Sequence, residues 1–93
     1  MGMKFKVYEV KRVRDDGKDE YKLKFWYLDY ADAVAKFKQL VKEEEKVDWI
    51  EEGLKYDDER YTVIKGIDFW GFYVDDFLDN MKSEVLIEER EVF

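Results

Sequence analysis

Ile67-Asp68-Phe69-Trp70-Gly71-Phe72-Tyr73-Val74 is the stretch on which the fold turns. Read alone, with one charge in eight residues, it suits a buried strand. Read with the residues that follow, Asp68 becomes a cap, and Trp70, Val74, Phe77, Leu78 and Met81 form a stripe at helical spacing. Asp75, Asp76, Asp79, Asn80 and Lys82 then face water. The longer match favours a short helix over 70–81, although Gly71 weakens its first turn by about 1 kcal/mol relative to Ala.

The flanks are clearer. Val85 to Val92 reads as a final strand, with Val85 and Ile87 facing in. Upstream, Arg60 to Lys65 and Val47 to Leu54 read as a hairpin around the turn Lys55-Tyr56-Asp57-Asp58-Glu59, with Gly53 marking a bulge. Before them, Tyr30, Ala33, Val34, Phe37, Leu40 and Val41 make one apolar stripe, and Asp29 can cap the helix that carries it. Glu43-Glu44-Glu45 lies at its C-terminal end, where negative charge is unfavourable, so the helix is expected to fray before Val47.

The chain opens on a hairpin. Met3 to Val13 alternates but changes its apolar face midway, which suggests a twist or a bulge. After a polar loop around Gly17, the return strand Tyr21 to Leu28 puts Tyr21, Leu23, Phe25 and Tyr27 on one face and Lys22, Lys24 and Trp26 on the other. The expected order is ββαββαβ: a single α+β domain over residues 1–93, with a mostly antiparallel sheet and one long and one short helix on one face.

Composition narrows the chemistry. Seventeen of 93 residues are aromatic, which supports a dense core in so small a chain. There is no cysteine and no histidine, so thiolate chemistry, disulfides and imidazole bases are excluded. Ser83 and Thr62 are the only small hydroxyls and lack a base, and the five glycines form no phosphate loop. No cofactor, metal site or catalytic residue is expected, and the chain reads as a non-enzyme. Nowhere do about 18 apolar residues run together, so a cytoplasmic protein without a membrane span is expected.

Charge is the remaining signal. The net −7 divides into +4 over residues 1–42 and −11 over residues 43–93. Asp57, Asp58, Glu59, Asp75, Asp76, Asp79, Glu88 and Glu89 are candidates for a continuous acidic surface that could imitate nucleic-acid phosphates and bind a basic patch on a partner protein. Trp49, Tyr56, Tyr61 and Trp70 could anchor such a contact where exposed. Within a strand, Glu51/Glu52 and Glu88/Glu89 would point to opposite faces and cannot act as pairs. The profile is similar in composition, though in no motif, to phage-encoded inhibitors of host defence.

Two other readings stand beside this one. Lys4, Lys6, Tyr8 and Arg12 share one face of the first strand. If register sets them beside Lys22, Lys24 and Trp26, the hairpin becomes a basic, aromatic platform for single-stranded nucleic acid. Net negative charge opposes that reading, because phosphate neutralisation dominates such affinity. A structural or adaptor domain without a ligand is the third.

Overall fold

In the computed structural model, which describes residues 5–56, 58–75 and 80–92, Trp70, Phe72 and Val74 lie on one side of an extended chain and are all buried. Period two therefore wins over the helical stripe. The expected 70–81 helix is instead a strand that ends at Asp75 and, after residues 76–79, a second strand beginning at Asn80. The physical reason is Phe72. A helical stripe through Trp70 and Val74 would leave this ring in water, whereas alternation seats it at the centre of the core.

The elements are β1 (Phe5–Asp15), β2 (Glu20–Tyr27), α1 (Tyr30–Glu44), α2 (Asp48–Lys55), β3 (Tyr61–Lys65), β4 (Phe69–Asp75) and β5 (Asn80–Val92). They form one α+β domain with a five-stranded antiparallel sheet in the order β2-β1-β5-β4-β3. The class and the long helix are as expected, but two segments exchange states, so the expected order ββαββαβ becomes ββααβββ. Besides β4, the expected strand Val47–Leu54 is the helix α2. Its buried residues Ile50 and Gly53 stand three apart, with Leu54 partly buried beside them, which is a helical face rather than an alternating one.

Gly53 marks no bulge. It is where α2 comes closest to the sheet: a Cβ there would collide with the Phe72 ring and meet the Tyr61 ring at 3.0 Å. α1 begins as expected, with the Asp29 carboxylate accepting from the Ala31 N–H at 2.8 Å.

Both helices cover the same sheet face. Val10, Phe72, Val74, Val85 and Ile87 meet Ala33, Phe37 and Leu40 of α1 and Ile50 of α2 in one core. Of the twist or bulge expected in β1, the bulge is absent from the described residues, since pairing with β2 runs unbroken from Tyr8 to Asp15 and with β5 from Phe5 to Asp15. Its change of apolar face has another cause. Val10 is buried under α1, while Glu9 and Val13 are buried on the uncovered face among the long side chains there.

Candidate functional site

Charges from the two halves of the chain meet because β5 pairs with β1. Lys6 of β1 reaches Glu89 of β5 at 3.1 Å, and Arg90 bridges Glu88 at 2.9 Å and Glu9 at 3.1 Å. The bond to Glu89 raises the Lys6 pKa. Glu88 and Glu89 point to opposite faces, each already beside a cation. They do not join the other candidate acids.

Among the described residues, the other candidate acids, Asp58, Glu59 and Asp75, lie at the far end of the sheet. Asp58 lies in the turn before β3, accepts from the Arg60 backbone N–H at 3.0 Å, and pairs with its guanidinium. Those bonds hold the Asp58 carboxyl below its ordinary range. The Asp75 N–H donates to the Arg60 carbonyl at 2.8 Å, which brings the end of β4 against the same turn as Asp58 and Glu59. Asp57, Asp76 and Asp79 lie outside the described residues, as does Lys4.

α2 extends this end. Because it is a helix, Asp48, Glu51 and Glu52 share its exposed side instead of splitting across a sheet. A strand reading concealed that arrangement, and the signal that would have found it is the three-residue spacing of Ile50 and Gly53. Tyr56 follows the helix and is 60% exposed, between the α2 acids and Asp58. Of the other aromatic anchors, Trp70 is buried and Trp49 and Tyr61 pack against the core.

The hairpin residues separate. Tyr8 pairs with Tyr27 and Arg12 with Leu23, so Lys6, Tyr8 and Arg12 face the helix side, while Lys22, Lys24 and Trp26 face the uncovered side. Arg12 points toward α1, where its Nη1 lies 3.6 Å from Glu44. Lys24 instead has Lys11 opposite it, and Trp26 has Glu9. Among the described residues, no single basic, aromatic platform results.

A buried ionic cluster escaped the sequence reading. Glu44 is fully buried; Arg14 donates to it through both Nε (2.8 Å) and Nη2, and the Ser83 hydroxyl donates at 2.8 Å. Burial pushes the Glu44 carboxyl up, but the bonds from Arg14 and Ser83 and the charges of Arg14 and Arg12 outweigh it and hold the pKa below its ordinary value. α1 ends before Val47 as expected, but Glu44 pins that end to the sheet instead of loosening it.

Tyr73, on the uncovered face, folds over Gly71 and donates to Glu84 at 2.6 Å. Burial, then Glu84, push its pKa from 10.0 up to about 12. Folding thus favours the protonated phenol, and that contribution is complete below the ordinary pKa and lost as pH rises from 10.0 to about 12. An alkaline titration of phenolate absorbance should show a late step, and Tyr73→Phe should abolish that step while the remaining tyrosines titrate as before.

Among the described residues, no group of three or more acidic side chains is placed to hold a metal ion, and no helix is long and apolar enough to cross a membrane. No protein-family model, no curated protein and no solved structure matches this chain.

Proposed function

We propose that the chain is a cytoplasmic, non-enzymatic protein-binding module that presents its acidic end to a basic surface of a partner protein, in the manner of an inhibitor that occupies a nucleic-acid-binding site. The observation that carries this reading is the grouping around Tyr56. Asp48, Glu51 and Glu52 share the exposed side of α2, Asp58 and Glu59 follow in the next turn with Asp75 beside it, and the exposed Tyr56 joins the two segments. Aromatic side chains make strong anchors in interfaces, and complementary charge speeds encounter and fixes orientation. Glu88 and Glu89 are left out of this surface, since they lie on opposite faces of β5 and pair beside β1, not beside the end of β4; within the surface Glu51 pairs with Lys55 and Asp58 with Arg60.

An arginine-rich peptide is a suitable probe. In a nuclear magnetic resonance titration at low salt, the expected perturbations concentrate on residues 48–60 and 75. Binding should weaken by about tenfold in the triple variant Asp48→Asn, Glu51→Gln, Glu52→Gln, a loss of about 1.4 kcal/mol. It should weaken further as salt rises from about 0.1 M to 1 M and the screening length shrinks. Perturbations centred on residues 88–89, or spread evenly over all carboxylates, would sink the proposal.

A further inference from the structure

Between α1 and the β3–β4 turn lies a groove of about 540 Å³ whose character is opposite to the acidic end. Val34, Phe37 and Val41 of α1 form one wall, and Ile67 of the β3–β4 turn and Trp70 of β4 form the other. The rim carries Lys38, Lys42 and Lys65 against one acid, Glu45. A cleft of this size lined by apolar groups with a few polar ones is suited to a small molecule.

Two observations go beyond shape. Trp70 is 3% exposed, yet its indole Nε1–H has no hydrogen-bond partner among the described residues. A buried donor of that kind is unusual, because buried polar groups are normally paired. In addition, Lys65 sits directly across the β3–β4 ladder from Trp70, on the same face of the sheet. Two cross-strand neighbours that both line the groove thus carry an unpaired, buried N–H donor and an ammonium group. A carboxylate has two oxygens and can accept from both. Lys38 and Lys42 add attraction for the anion from the α1 side, and the apolar wall suits a hydrocarbon body.

We propose that this groove binds a free aliphatic carboxylate, its head group held by Trp70 Nε1–H and Lys65 and its chain lying along Val34, Phe37, Val41 and Ile67. The site is separate from the acidic end and does not depend on the function proposed for it. Ile67 is 83% exposed, so the turn that carries it leaves the groove open to an incoming ligand.

The test is a titration of the isotope-labelled chain with decanoate, decanol and decyltrimethylammonium, each kept below its micelle concentration. Decanoate should saturate and move the Trp70 indole N–H resonance, and should bind about tenfold tighter than decanol and tighter still than the cation. Lys65→Gln, at an exposed position, should keep the fold and weaken decanoate by about tenfold. Trp70→Phe should weaken it similarly, and Lys65→Gln keeps the proposal decidable should that variant unfold. Equal affinity for decanol, an unmoved Trp70 resonance, or an unaltered Lys65→Gln affinity would overturn the proposal. So would a response only to anionic phospholipid vesicles or only to an acidic peptide, since either would assign the groove to another occupant.

Discussion

Glu44→Gln should destabilise the fold by about 3 kcal/mol, the lower end of what breaking a buried ion pair costs. The loss comes from the arginines left behind. Arg14 and Arg12 keep their charge, and their side chains are only 26% and 15% exposed. That partial access to water keeps the cost from the upper end of the range. Against a total stability of roughly 5–15 kcal/mol this is a large fraction. Thermal unfolding should fall by about 10–20 °C. Replacing the pair together, Arg14→Met with Glu44→Leu, should cost less, because Arg14 is no longer left as an uncompensated charge and Arg12 keeps Glu43 at 3.8 Å. Ser83→Ala should lose about 1 kcal/mol, the worth of one hydrogen bond.

The same cluster dictates the acid response. The Glu44 pKa is lowered by folding, so its contribution is complete above the ordinary value of 4.5 and is lost as pH falls through the lower folded value. Stability measured by denaturant titration should therefore fall below that pH in the native chain, and more gently in Glu44→Gln. An equal slope in both would mean that other carboxylates govern acid unfolding.

The acid run Glu43-Glu44-Glu45 shows why part of this molecule could be read and part could not. The initial hairpin, the stripe of α1 and its Asp29 cap are local patterns, and each appears in the structure where the sequence places it. Glu44 is a different kind of case. Nothing local separates it from Glu43 or Glu45; only Arg14, thirty residues away, and Ser83, thirty-nine away, make it a buried partner. Likewise 47–54 and 70–81 each contain enough apolar residues for either period. Their states are decided by each other: β4 is a strand because α2 lies across it, and α2 is a helix because β4 offers Phe72. The same mutual dependence brought Glu51 and Glu52 onto one exposed side of the acidic end. The +4 and −11 halves of the sequence failed to become two poles for a simpler reason. β5 runs between β1 and β4, so part of the negative half is laid against the positive one.

Phe72→Ala should be at least as damaging as the loss of Glu44, at about 3–5 kcal/mol. Phe72 is fully buried, its ring lies 5.9 Å from that of Trp49 and 5.8 Å from that of Tyr61, and it fills the space over Gly53. The substitution would therefore release α2 from the sheet as well as leave a cavity, and the α2 part of the acidic end should become mobile with it. Gly53→Ala offers a sharper test of that packing. On its own it gains about 1 kcal/mol of helix propensity but forces a methyl group into the Phe72 ring, an overpacking cost of about 1–3 kcal/mol. The net sign in the native chain should be destabilising. In the Phe72→Ala background the ring is gone, and the Tyr61 ring, on the edge strand β3 and only partly buried, can give by the few tenths of an ångström required. Gly53→Ala should then become stabilising. A double-mutant cycle read by denaturant unfolding should give a coupling of about 1–3 kcal/mol between two residues nineteen positions apart. Independent, additive effects would mean that α2 does not rest on Phe72, and the grouping of Asp48, Glu51 and Glu52 with Asp58 would lose the contact that positions it.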